Sequence, residues 1–367
     1  MNRLPEHTDA LVIGGGVIGT SIAYRLAEAG VGTVLLERGA LGSGSSGTTA
    51  GVIRTYFPGN ALVSGLAARS MADYHAFAER TGVDLGLRRI GFLVLFTEEA
   101  QVEDFRRDHA AQGAAGVDVE LVTAAEAAQR NPLLDARTVV AAWSPEAYAC
   151  DPAAIVRGYA TAAERAGAVL HTETPVIGID PDGQVHTPAG SIRARTIVCA
   201  AGPWAESVAA MAGVCLPATT YPVDMLLAPA PAGAPSALPM TLHPSGLRIR
   251  SWGDRILVGM GRPRPGESRE TWRQRVARQL GAAFPALTGG RLERGWSGDL
   301  DVSPDGMALI GRDPVRPFVY AAGFSGQGLC QAPAAGELVR DLVLDKEGNG
   351  HDRLGVQRLH PRLGSLR

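Results

Sequence analysis

Ala10-Leu-Val-Ile-Gly-Gly-Gly-Val-Ile-Gly-Thr20, followed by Val34-Leu-Leu-Glu37, is the stretch around which the rest of the chain is arranged. Four apolar residues run directly into Gly14-x-Gly16-x-x-Gly19. Ile18, Ile22, Leu26 and Ala29 then recur at helical spacing until Gly30 stops the helix. A second apolar run closes on the acid Glu37, at about the 20-residue separation expected of a ribose-binding carboxylate. The pattern predicts a strand, a glycine turn, a helix and a parallel strand holding a dinucleotide. Gly14 permits the turn, Gly16 admits the pyrophosphate, Gly19 lets helix and strand pack, and the helix N-terminus offers free N–H groups. Glycine is common here, 46 of 367 residues, so the ordered context carries the argument rather than the glycines alone.

Working outward, Gly42-Ser-Gly-Ser45-Ser46-Gly-Thr-Thr49-Ala50-Gly51 is built almost wholly of small residues. Two readings stand: a flexible linker, or a second wall of the dinucleotide site. Its place directly after the ribose strand favours the wall. Arg54 then stands near the reactive end of the cofactor, where a guanidinium grips a carboxylate, or else it makes a surface ion pair. Thr196-Ile-Val-Cys-Ala-Ala-Gly-Pro-Trp204 reads as a buried strand ending in side-chain-poor Ala201-Gly202. Either it passes beneath the cofactor or it is an ordinary strand-to-helix turn. Phe318-Val-Tyr-Ala-Ala-Gly323-Phe-Ser325-Gly326-Gln327-Gly328-Leu329-Cys330 is a second strand and glycine turn, with a helix expected over 334–344 and a polar, mobile tail after Asp345. A cofactor cradled at both ends of the chain must be large.

Between these blocks the hydrophobic period changes. A long helix is expected from an Asn60 cap to Arg80, with Leu62, Leu66, Met71, Tyr74 and Phe77 as its stripe. Strands are expected at 90–97, 117–122 and 139–143, and helices over 98–112 and 153–166. Strands near 221–228, 247–250 and 256–260 read as antiparallel, with an exposed proline- and alanine-rich loop at 228–239. An arginine-rich helix over 270–280 reads as a solvated face. The expected division is one discontinuous unit from 1–85, 145–217 and 302–367, and an inserted one from 86–144 and 218–301.

Composition narrows the class. The chain is 46% hydrophobic and 20% charged with a net charge of -2, which suits a globular protein and gives no electrostatic footprint for nucleic acid. Lys346 is the only lysine. Cys150, Cys199, Cys215 and Cys330 show no CxxC spacing, and no metal site is expected. No basic-then-apolar leader precedes the first strand and no apolar run nears the roughly 20 residues of a membrane span, so a cytoplasmic location is expected.

Seven blocks together carry a family likeness: GGGVIGTSIAYRLAEAG (14–30), VLLERG (34–39), GSGSSGTTAGVIR (42–54), CDPAAIVRGYATAAERAGA (150–168), IVCAAGPWA (197–205), WSGDLDVSPDGMALIG (296–311) and YAAGFSGQGLCQAPAAGELV (320–339). In that order they resemble the FAD-dependent D-amino-acid oxidase superfamily, in its sarcosine oxidase and glycine oxidase branch. The sixth block resembles the flavin subunits of multimeric sarcosine oxidases and proline dehydrogenases. The resemblance implies an α/β fold: a Rossmann-like, p-hydroxybenzoate-hydroxylase-like FAD-binding domain with an inserted antiparallel-sheet substrate domain. Carried over residue by residue, Gly14, Gly16, Val17, Ile18 and Gly19 take the pyrophosphate, and Glu37, Arg38 and Val176 the adenosine side. Ser45, Ser46, Thr49, Ala50 and Gly51 line the flavin approach, and Ala201, Gly202 and Trp204 a further wall. Gly323, Ser325, Gly326, Gln327, Gly328 and Leu329 contact the isoalloxazine edge.

The implied chemistry is hydride transfer from a carbon next to nitrogen onto flavin N5, giving an imine that water hydrolyses, with O2 or another acceptor closing the cycle. Arg54 matches the arginine that grips the substrate carboxylate. The lysine that partners it in sarcosine oxidases falls at Cys330, the lysine associated with oxygen falls near Arg248, and the glycine-oxidase arginine falls at Leu300. Arg250 or His243 is then the substitute polar contact, each with a structural reading beside it. The flavin-linking cysteine is absent from 295–301, implying non-covalent FAD. Oxidation of a 2-hydroxy acid, and a role as the flavin subunit of a multi-protein dehydrogenase or in a homo-oligomer, are the alternatives. No second pyridine-nucleotide motif supports an NADPH-using monooxygenase.

Overall fold

The computed structural model describes residues 3–134, 140–261, 263–346 and 353–359. Two eight-stranded sheets organise them. In the first, five parallel strands run in the order Val169–His171, Thr33–Leu36, His7–Ile13, Gly190–Cys199 and Phe318–Ala322. Parallel strands covered on both faces are apolar throughout, which is why Thr33–Leu36 and Phe318–Ala322 are buried at every position. One face carries the helices Val17–Glu28, Pro152–Arg165 and Gly328–Val343 around Ile22, Leu26, Ile155, Tyr159 and Leu338. The other is closed by the helix Ala205–Met211 and the hairpin strands Gly178–Ile179 and Gln184–Thr187.

The second sheet takes its strands from 92–96, 120–144, 219–259 and 293–302. Phe92–Phe96 is apolar at every position because both of its faces are packed. Leu93 and Leu95 join the core under the helix Arg269–Ala283, and Phe92, Val94 and Phe96 join the core beside the helix Glu99–Ala114. The sheet departs from the expected all-antiparallel pattern at one place. Met240–Leu242, absent from the sequence reading, pairs with Phe92–Val94 in parallel. Its strand follows directly on the proline-rich loop, which hides the signal.

Three further expectations are corrected. The helix expected from Asn60 to Arg80 is two helices, Ala61–His75 and Phe77–Thr81, separated at Ala76. Asn60 does cap the first, accepting from Val63 N at 3.1 Å. The C-terminal helix begins at Gly328, six residues before the expected start, and carries Pro333 inside it. A proline deprives the carbonyl four residues back of its donor. That carbonyl, on Leu329, instead accepts the Tyr74 hydroxyl at 2.7 Å. The tail is not uniformly polar and loose: Leu354 and Leu359 are buried, and Arg358 Nε donates to Asp305 Oδ2 at 2.9 Å. The expected strand start at Val139 and the remaining tail positions lie outside the described residues. Among the described residues no helix is long and apolar enough to cross a membrane.

Candidate active site

Strand register builds the site. Ile13 pairs with Cys199, so the first glycine turn and the Ala200-Ala201-Gly202 turn leave the sheet side by side. Gly14 has φ +113°, and a Cβ there would lie 2.4 Å from the Ala200 carbonyl oxygen. A Cβ on Gly19 would lie 1.8 Å from the Gly14 carbonyl oxygen. Both glycines are therefore required by close backbone approach. Gly16 starts the helix without a side-chain cap of its own, and Ser46 Oγ accepts from Val17 N at 3.0 Å instead. Glu37 Oε2 accepts from Gly15 N at 2.6 Å and Oε1 from Gly39 N at 2.9 Å. The Arg38 guanidinium lies 3.5 Å above the Trp204 ring.

The small-residue loop is an ordered wall, not a linker. Its Ser45–Thr48 turn is held from the second sheet: Trp296 Nε1 donates to Thr48 O at 2.7 Å and Ser45 Oγ to Asp299 O. Arg250 Nε donates to Ala50 O at 2.9 Å, and Arg250 Nη1 to Ser251 O at 3.0 Å. The second glycine turn is organised by Asp301, whose Oδ2 accepts from Gly323 N at 2.7 Å and Phe324 N at 3.3 Å. Ser325, at φ +53°, adopts the left-handed conformation beside it.

These walls enclose a cavity of about 800 Å³ that runs from the glycine turns to the second sheet, near the upper end for small-molecule sites. Gly14, Gly16, Val17, Ile18, Glu37, Arg38 and Val176 line one end. Ser45, Ser46, Thr49 and Ala50 line its side, with Ala201, Gly202 and Trp204. Ser325, Gly326, Gln327, Gly328, Leu329, Arg54, Arg250 and Cys330 line it as well, with Gly328 against Ile18. Gly19, Gly51 and Gly323 shape the backbone without lining it. His243 also lies off the lining: it packs against Phe284 with ring centroids 6.2 Å apart, and its Nδ1 meets Ser245 Oγ at 2.9 Å. Arg250 lines the cavity with its donors turned onto Ala50 and Ser251. Arg248, seen in the sequence only as the position near a family lysine, also lines the cavity, and Phe57, Phe92, Met240, Asp224 and Asp301 line it and were missed. Of these, only Asp301 stood in a block singled out from the sequence.

Arg54 is the unusual group. Its guanidinium sits 3.7 Å from the Phe57 ring centroid and 4.7 Å from that of Phe92, and donates to Tyr56 O. No acid pairs with it among the described residues. Burial lowers its pKa to about 10, so it stays cationic at neutral pH. Cys330 Sγ accepts from Arg54 N at 3.4 Å, and burial pushes the thiol up from its ordinary value, so it stays neutral.

Glycine turns from the two ends of the chain meeting at one cavity, a helix N-terminus and an acid on the ribose strand define a dinucleotide-cofactor oxidoreductase. A family model for FAD dependent oxidoreductases (DAO) matches residues 9–342, and the chain belongs to that family. It is 30% identical over 359 residues to glycine oxidase of Geobacillus kaustophilus, covering 92% of this chain and 93% of that one. Mitochondrial dimethylglycine dehydrogenase of Homo sapiens is 29% identical over 93% of this chain, which spans 43% of it. The crystal structure of L-proline dehydrogenase from P. horikoshii superposes with a TM-score of 0.88 at 28% identity, covering 98% of this chain and 99% of that one. The protein is an FAD-binding flavoenzyme. The residues present fit the cofactor: a Cβ at Gly14 or Gly19 would collide with backbone, and Gly323 and Gly326 hold positive φ in the second turn.

Proposed function

We propose that the enzyme oxidises the C–N bond of an amine or amino acid that carries a carboxylate. Arg54 is the observation that carries this reading. A buried cation without an acidic partner costs several kcal/mol unless an anion joins it, and Arg54 faces the cavity. Bound FAD supplies the acceptor for a hydride from the carbon next to nitrogen, and the imine product is hydrolysed by water. The chain's own groups do the rest. Phe57 and Phe92 hold the guanidinium in place, its remaining donors take the carboxylate, and the apolar walls exclude water from the reacting carbon. Carried over with the resemblance, the adenosine side takes Glu37, Arg38 and Val176, and the flavin side takes Ser45 to Gly51 and Gly323 to Leu329.

The two-domain division at 1–85, 145–217 and 302–367 against 86–144 and 218–301 belongs to the same proposal. It is supported by the two sheets drawing their strands from those stretches. Non-covalent FAD is supported by the lack of cysteine over 295–301, and a cytoplasmic location by four unpaired cysteines. A second reading makes the chain the flavin subunit of a dehydrogenase that passes electrons to a partner. The 0.88 TM-score to L-proline dehydrogenase favours it.

Anaerobic mixing of the yellow protein with amines and amino acids tests the reading. A carboxylated amine is expected to bleach the flavin band. Arg54→Ala is expected to lower kcat/KM for it by about 100-fold or more, the cost of removing one partner of a desolvated charge pair. No bleaching by any amine would sink the reading. Readmitted air restoring the band within turnovers would favour an oxidase, and failure to restore it the partner-dependent dehydrogenase.

A further inference from the structure

The cavity holds a second unclaimed cation. Arg248 lies on the sheet face that carries the cavity: it pairs with Leu242 on one side and Gly259 on the other, two positions from Arg250. Strand alternation puts Arg248 and Arg250 on one face, and both line the cavity with Phe92, the ring against which Arg54 rests. Glycine beside Arg248 leaves the space next to it open. The exposed side chain of Arg248 has no hydrogen-bond or ion-pair partner among the described residues.

The acids of the same wall are already engaged. Glu37 is held by Gly15 and Gly39, and Asp301 by Gly323 and Phe324. Asp224 takes the Ser297 hydroxyl, with Arg269 Nη1 3.6 Å away. Arg250 is satisfied by backbone carbonyls, and Arg38 lies over Trp204 at the opposite end. Arg54, half-buried, and Arg248, exposed, therefore both line the cavity as cations without an acidic partner among the described residues.

We infer that the substrate is an amine bearing two carboxylates, one held by Arg54 and the other by Arg248. Resting on the C–N oxidation proposed above, this narrows it from amino acids in general to N-carboxyalkyl or α-amino dicarboxylic acids. One guanidinium fixes the carboxylate nearest the reacting carbon, and the second measures the distance to the far one.

The test uses the full-length, FAD-loaded enzyme and paired substrates: N-methylglycine against N-carboxymethylglycine and its longer homologues, and α-amino monocarboxylates against dicarboxylates. Some dicarboxylate is expected to exceed its monocarboxylate partner in kcat/KM by about 100-fold, the value of one desolvated charge pair. Arg248→Met is expected to bring that ratio toward one, and Arg248→Lys to restore part of it. A binding readout runs beside it. Oxydiacetate and its homologues, which have no nitrogen to oxidise, should perturb the flavin spectrum of the wild type and do so much more weakly in Arg248→Met. The retained flavin band of each variant shows that it folds. Equal use of both substrate types, or Arg248→Met depressing both alike, would overturn the inference while leaving C–N oxidation standing. Dicarboxylate binding without oxidation of any amine would overturn both, leaving Arg54 and Arg248 only as a dicarboxylate-binding site.

Discussion

At the scale of single residues, the chain keeps charged groups in its interior where the cofactor and substrate meet. Arg54 and Asp301 are two such groups, and Asp301 titrates in the accessible range. Burial pushes its carboxyl up from 3.8 to about 6, opposed by the Gly323 and Phe324 amides. The folded state therefore favours the protonated form. Its contribution to stability is complete below about pH 4 and lost as pH rises through about 6. Asp301→Asn removes the titration, so unfolding free energies of wild type and variant should converge or cross between those values, wild type gaining toward acid. A difference that stays flat with pH would show that Asp301 does not titrate there. Arg54 was legible because it closes a recognisable loop. Arg248 was seen only as the residue near a family lysine, and Asp301 only as a letter in a conserved-looking block. Their roles depend on which face of a strand meets the cavity, and one chain does not reveal that.

Elements show where local signals mislead. Pro333 argues for a helix beginning at Ala334, yet the helix starts at Gly328 because a distant hydroxyl replaces the missing hydrogen bond. Tyr74 sits on another helix more than 250 positions away in the chain, so nothing near the proline announces it. Tyr74→Phe should cost about 1–3 kcal/mol in urea unfolding, the penalty for leaving a buried carbonyl unsatisfied. In a Pro333→Ala background the new N–H reaches the Leu329 carbonyl, and the same substitution should cost less. Equal costs in both backgrounds would break the link between hydroxyl and proline. By contrast, the strand–glycine–helix unit at the N-terminal end was fully legible, because turn, helix period and ribose acid all lie within one short segment. Met240–Leu242 was not, since its parallel pairing with Phe92–Val94 is fixed by tertiary register.

For the whole molecule, the cofactor loop lies between the two sheets and is pinned from the second by Trp296 and Arg250. FAD bound against it should tie the halves together. A ligand at 100 times its Kd adds about 2.7 kcal/mol to the folded state, so removing FAD should lower Tm and expose residues 42–51 to proteases. An unchanged melting curve and an uncut loop would mean that the cofactor is not part of the frame. The α/β class and the large cofactor were readable because each cradle is local. The chamber between the sheets was not, because its roof is assembled from strands scattered over most of the chain.

The position of Phe318–Ala322 beside Ile197–Cys199 has a consequence for biosynthesis. At translation speeds of about 5–20 residues per second, the first glycine turn waits on the order of tens of seconds before the second exists. Cofactor capture is then a late event that follows emergence of the last parallel strand. Until then the two glycine turns and the chamber walls have no common partner.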